Sequence, residues 1–182
     1  METKKDKFKG CLGGLLSVLL LLFFIGMCSE PTEVTSEEST EQTDLSSYIP
    51  GVKPVDVYLN LKNEGFKIDK TFNPEYGNSW ECRKKIDGID MYANIYSPNS
   101  ASKFQSVKAS VMVEPGYKHI DAGKFFIKYI SSLPYDGSNN VAAVNWVERH
   151  YYHSADTIIG NVQFSLKAPS KFARMLTISA QN

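Results

Sequence analysis

SWECRKKIDGIDMYANIYS, residues 79–97, decides the fold. At its centre, Asp87 and Gly88 supply two residues that tolerate the left-handed backbone a tight hairpin turn demands. On both sides apolar and polar residues alternate, the period of a strand with one face buried. Trp80, Cys82 and Ile86 take the inner side of the first strand, and Met91, Ala93 and Ile95 that of the second. Glu81, Arg83 and Lys85, then Tyr92, Asn94 and Tyr96, point to solvent. A slip of one residue would exchange the two faces, so the register is a definite expectation.

Working outward, strand patterns recur near 66–72 and 106–113. In the latter, Val107, Ala109, Val111 and Val113 alternate with Lys108, Ser110 and Met112. Before the first strand, KPVDVYLNLKNEGF (53–66) reads as a short helix. Pro54 suits its first turn and Gly65 the left-handed position past its end, with Phe66 packing back. After the fourth strand the period becomes helical. From Asp121, an N-cap, Ala122, Phe125, Phe126, Tyr129, Ile130 and Leu133 share one face until Pro134 and Gly137 end the helix. A second helix, about 139–152, presents Ala143, Val144, Val147 and Tyr151.

Two strands close the chain. In IIGNVQFSLKA (158–168), Ile158, Val162, Phe164 and Leu166 lie on one side and Asn161, Gln163 and Ser165 on the other. In RMLTISA (174–180), Leu176, Ile178 and Ala180 turn inward. The order α-ββββ-αα-ββ and the short links between strands predict an α+β domain. It has an antiparallel sheet of about six strands with helices on one face.

The N-terminal part is of another character. Lys4, Lys5, Lys7 and Lys9 precede an uncharged apolar run from Cys11 to Cys28. As a helix this run would span about 27 Å, the thickness of a bilayer core. With lysines before it and acids after it, the N-terminus is expected in the cytoplasm and the C-terminal body outside. The segment IGMC, Ile25 to Cys28, followed by Ser29, resembles a bacterial lipoprotein signal, which implies lipid attachment at Cys28. That motif carries a small residue before the cysteine, and here Met27 stands there. The run is also long for a cleaved signal. An uncleaved signal anchor and a lipoprotein therefore both stay open.

Next come Glu30, Glu33, Glu37, Glu38, Glu41 and Asp44 among serines and threonines, without a base. Such a segment buries too little apolar surface to offset its ordering entropy, and its charges repel. The expected organisation is a basic stub and membrane segment at 1–28, a disordered acidic tether at 29–47 and a globular extracytoplasmic domain at 48–182. Formal net charge is zero, and the body alone is only mildly basic, too dilute for nucleic-acid binding. Of three cysteines, Cys11 and Cys28 belong to the apolar run. Cys82 is left without an intrachain partner on an inward position, an inert thiol rather than a nucleophile. A lone exported thiol and the absence of any N-x-Ser/Thr sequon fit a bacterium.

Chemistry-bearing patterns are few. ERHYYHSAD (148–156) gathers Glu148, His150, His153 and Asp156, but zinc helices space their histidines differently, and polar residues on a helix's last turn need no metal. His119 reads as a loop residue. No nucleophile elbow or phosphate-cradling loop is present, so no cofactor or metal is expected. The solvent-facing strand positions form the stronger candidate: Arg83, Tyr92, Asn94, Tyr96, Asn161 and Gln163, beside Lys108, Ser110 and Ser165, with Tyr76 in the bordering loop. Tyrosines beside amides and an arginine suit a carbohydrate, a peptide or an anionic envelope polymer. They also favour strands for their own sake. The function expected is a membrane-tethered extracytoplasmic binding module. The alternative is a small cell-envelope hydrolase with a cleft near His150 and His153.

Overall fold

The computed structural model describes residues 48–74, 77–98, 102–117 and 121–181. The apolar run, Cys28, the acidic tether, Tyr76 and His119 lie outside the described residues. Among those described, no helix is long and apolar enough to cross a membrane.

The elements in chain order are α1 (Pro54–Asn63), β1 (Lys67–Asn73), β2 (Gly77–Ile86), β3 (Ile89–Ser97), β4 (Ser106–Val113), α2 (Asp121–Ser131), α3 (Asn140–His150), β5 (Ala155–Ile159), β6 (Val162–Ser170) and β7 (Ala173–Ala180). Strands β1 to β4 form a meander. The chain then crosses through α2 and α3 to the far edge and returns inward as β5, β6 and β7, so that β7 meets β4. The result is one antiparallel sheet of seven strands, in the order β1-β2-β3-β4-β7-β6-β5. The architecture is α+β.

Local chemistry accounts for the turns. Asp87 and Gly88 have φ of 45° and 72°, the pair of left-handed residues a type I′ turn needs, and Ile86 pairs with Ile89 across it. Helix α1 ends as expected: Gly65, at φ 85°, donates to the Lys62 carbonyl at 2.9 Å and Phe66 to that of Leu61 at 3.0 Å. These are the two bonds of a Schellman motif. Asn139 caps α3, its side chain accepting from the Ala142 amide at 2.9 Å.

One more strand is present than the alternation predicts. The segment 158–168 is not a single strand, because Gly160 (φ 65°) and Asn161 reverse the chain between Ile159 and Val162. Ile158 therefore pairs with Gln163 and shares its outward face. It is 52 % exposed, not buried beside Phe164 as the single-strand reading has it. Asn161 is a turn residue rather than a strand position.

The inward side is fixed by register. Trp80 pairs with Ile95, Ile95 with Val107, Val107 with Ile178 and Ile178 with Phe164. The next row runs Cys82, Ala93, Ala109, Leu176 and Leu166. All of these are buried in one core with Val57 and Leu61 of α1, Phe126, Ile127 and Ile130 of α2, and Ala143, Trp146 and Val147 of α3. Burial pushes the Cys82 thiol up to about 12, so it stays protonated at physiological pH.

Helix α2 is rotated from the expected face. A Cβ on Gly123 would lie 2.2 Å from a Val111 methyl, so glycine allows the helix to rest directly on β4. That contact turns Phe126, Ile127 and Ile130 inward and leaves Phe125 75 % exposed, correcting its assignment to the buried face. Ile86, likewise expected inside, has inward parity but lies at the sheet's margin and is 42 % exposed. In α3 the buried aromatic is Trp146, while Val144 is only half-buried. Between the helices, Lys124 and Lys128 of α2 both grip Glu148 of α3.

Two expected outcomes follow from this packing. Phe126 is 7 % exposed and its ring lies 5.2 Å from that of Phe66, so Phe126→Ala should cost about 3–5 kcal/mol in chemical denaturation. An unchanged midpoint would show that α2 does not pack here. The hydrogen bonds from Lys124 and Lys128 hold the Glu148 carboxyl below its ordinary range, a contribution present above that range and lost as pH falls through the folded value. Glu148→Gln should accordingly lower thermal stability at neutral pH, and the gap from wild type should close in acid. A gap that persists below the carboxylate range would refute the ionic explanation.

Candidate functional site

On the outward side the same registers assemble three polar rows. Tyr96 of β3 lies between Ser79 and Ser106, and the row continues through Ser179 of β7 to Gln163 of β6. Asn94 lies between Glu81 and Lys108, followed by Thr177 and Ser165. Tyr92 lies between Arg83 and Ser110, followed by Met175 and Lys167. Tyr92, Asn94 and Tyr96 are half-buried by their neighbours, and their inward counterparts Met91, Ala93 and Ile95 are in the core. The expected register holds without a slip.

The shape of this surface follows from side-chain length. Tyrosines stand along β3, while β4 and β7 contribute the short hydroxyls Ser106, Ser110, Thr177 and Ser179. Lys108 and Met175 are the longer side chains in these rows, and Met112 follows on β4, 48 % exposed. Beyond lie Gln163, Ser165 and Lys167 on β6. From β3 to β6 is three strand spacings, about 14 Å, and from Tyr92 to Tyr96 is four residues of strand, about 13 Å. The surface is thus about as wide across these strands as the two tyrosines are apart along them.

Its charges are sorted. At one margin Arg83 donates to Asp69 and lies 3.1 Å from Glu81. The hydrogen bond to Asp69 comes first among the causes that raise the guanidinium's pKa, with the Glu81 charge second. At one end Lys85 pairs with Glu114 and, at 3.7 Å, with Asp90. At the other margin Lys167 reaches both Asp156 oxygens at 3.2 Å. Lys108, near the middle, meets no carboxylate at ion-pair distance among the described residues and leans over Tyr96, 5.4 Å from its ring centre.

The structure brings together only part of the expected set. Arg83, Tyr92, Asn94 and Tyr96 are neighbours across β2 and β3. Gln163 shares the Tyr96 row but stands three strands away on β6. Asn161 lies past the end of that row, where its carbonyl accepts from the Gln181 amide at 3.4 Å. Thr177 and Ser179 are not legible as members of this face in the sequence, where nothing says that β7 lies between β4 and β6, whereas Ser106 follows the outward parity of Lys108 and Ser110.

The residues of ERHYYHSAD diverge. Glu148 is held by the α2 lysines and Asp156 by Lys167. His150 packs against Trp146, ring centres 5.6 Å apart, and His153 is exposed on the following turn. Among the described residues, no three of His, Cys, Asp and Glu gather closely enough to hold a metal ion.

Further grooves are lined by described residues, and one of them reaches Arg83 and Tyr92. One of about 730 Å³ between α1, α2 and the β2–β3 end is lined by Leu61, Phe66, Ile86, Met91 and Phe126, with Phe125 among its walls. A second, about 530 Å³, collects Lys67, Arg83, Lys84 and Lys85 around Asp90 and Tyr92. The third, about 320 Å³, contains the Lys124–Glu148 pair. Beneath that end of the molecule is a buried cation that periodicity did not reveal. Arg174, 3 % exposed, donates to the carbonyls of Tyr151, Ser170 (2.7 Å) and Ala173 (2.6 Å). Its guanidinium also faces the Tyr151 and Tyr152 rings at 5.3 and 5.6 Å. This is a structural pin: a cation at the C-terminus of α3 satisfies a carbonyl the helix leaves open.

No protein-family model matches the chain, and no solved structure matches it. Among curated proteins it is similar to the chitinase-like mite allergen Der p 18.0101 of Dermatophagoides pteronyssinus, with 32 % identity over 93 residues. The similarity takes in 51 % of this chain and 18 % of that protein, so the chain spans under a fifth of that relative's length.

Proposed function

We propose that this protein is a membrane-tethered extracytoplasmic binding module, without catalytic activity of its own, that takes up its ligand on the outward face of the sheet. One observation carries the reading: Tyr92 and Tyr96 stand uncovered by any described helix, in rows with amides and hydroxyls, on the polar side of the sheet. Tyrosine offers a flat apolar ring and a polar tip at small entropic cost, a combination suited to polar polymers. The similarity to a chitinase-like protein is a reason to place glycans first among the ligands tried. The tether follows from the basic stub, apolar run and acidic segment of residues 1–47, which would hold the domain outside the cell while leaving it free to search.

Two experiments test the two halves of this reading. Tyr92→Ala with Tyr96→Ala should weaken capture of ligand from envelope extract while the domain still folds cooperatively, with some stability lost because both rings are half-buried. Undiminished capture would remove the tyrosines from the site, and capture of a protein rather than a glycan would change the ligand class. For the tether, intact-mass measurement of membrane-extracted protein should find the N-terminus retained, because Met27 breaks the lipobox and the apolar run is long. A dominant species beginning at a lipid-modified Cys28 would replace the uncleaved anchor with a lipoprotein. Recovery of the whole protein from the aqueous fraction would overturn both.

A further inference from the structure

We propose that the groove between α1 and α2 receives Phe125 from a second copy of this chain, and that the second copy's groove receives Phe125 in return. The contact lies on the helix side of the sheet, so it goes beyond the reading of the outward face and does not depend on it. The groove's floor is apolar: Leu61 of α1, Phe66, Met91 of β3 and Phe126 of α2 line it and are buried. Ile86, 42 % exposed, also lines it. At about 730 Å³ the space falls within the range of sites that enclose a ligand.

Three observations select a second copy as the occupant. First, Phe125 forms part of the groove's wall and is 75 % exposed, although Phe126 and Ile127 beside it on α2 are buried. A ring that large gains by leaving water. Second, the projecting ring and the groove share one patch. A two-fold axis carries such a patch onto itself, so each copy offers its ring and accepts the other's. A small apolar molecule would touch Phe125 only on the side that faces the groove, whereas a second copy takes the whole ring in. Third, the groove carries both signs of charge. Glu64 and Lys84 line it, and neither meets an opposite charge at ion-pair distance among the described residues. Lys84 donates instead to the Glu64 carbonyl. A purely acidic or purely basic partner is repelled by one of the two, while a second copy brings both. One ring exchanged each way is a small contact, so the dimer is reversible rather than obligate.

The test uses the full chain in cells. Light-activated p-benzoylphenylalanine at position 125 should give a covalent species of twice the monomer mass, its adduct mapping to groove residues such as Ile86 or Lys84. Copies bearing different affinity tags should co-purify. Phe125→Ala in both copies should lower co-purification roughly tenfold, and Ile86→Trp, which fills the groove, should do the same. One Phe125→Ala copy with one Ile86→Trp copy keeps one ring and one open groove, so this mixed pair should co-purify better than either variant with itself. Val141→Ala removes a side chain 72 % exposed on α3 that does not line the groove, and it should change nothing. Unaltered melting of each variant shows that folding is not the cause. Undiminished co-purification of Phe125→Ala copies would overturn the inference, as would cross-linking to a different protein or to lipid in place of a second copy. A mixed pair no better than either variant with itself would overturn the reciprocal exchange.

Discussion

β4 is hydrogen-bonded along its length to β3 on one side and to β7 on the other, and this double pairing joins two meanders into one sheet. Without it the chain would hold a four-stranded piece and a three-stranded piece, each with an unsatisfied edge. Both faces of the molecule depend on the same strand. Inward, Val107, Ala109, Val111 and Val113 lie at the centre of the core, and α2 settles on Val111 because Gly123 has no side chain. Outward, Ser106, Lys108 and Ser110 lie in the middle of the three polar rows. The separation of apolar core from polar surface is therefore one register, expressed twice.

Polar groups are disposed with equal economy. Exposed pairs such as Arg83 with Asp69 contribute little stability in water. The buried exception, Arg174, has no carboxylate at ion-pair distance among the described residues and is satisfied by three backbone carbonyls and two aromatic rings. Those bonds tie the end of α3 to the turn between β6 and β7. A charge taken from water must be fully hydrogen-bonded to be tolerated, and here that requirement fastens two distant parts of the chain together.

The departures from the sequence reading have particular causes. Gly160 and Asn161 form a two-residue turn inside what reads as one apolar strand. Missing it removed a strand and placed Ile158 on the wrong face. Phe125 and Phe126 are adjacent and both apolar, so a helical period alone cannot say which of them faces the sheet. The close approach at Gly123 decides between them. Arg174 falls on an inward strand position where alternation expects an apolar residue, and only the carbonyls around it explain a charge there.

By itself the sequence determined the hairpin at Asp87–Gly88, the two faces of β2, β3 and β4, the Schellman end of α1 and the α+β class. All of these arise from interactions between residues close in the chain: turn conformations, capping bonds and the two-residue alternation of strands. The tertiary structure alone decided that β7 lies between β4 and β6, that Gln163 joins the Tyr96 row while Asn161 stands outside it, and that Arg174 is met by backbone carbonyls. Those outcomes join residues separated by a long crossover through two helices. Their pairing follows from how whole meanders bury their apolar faces together, which no local pattern encodes.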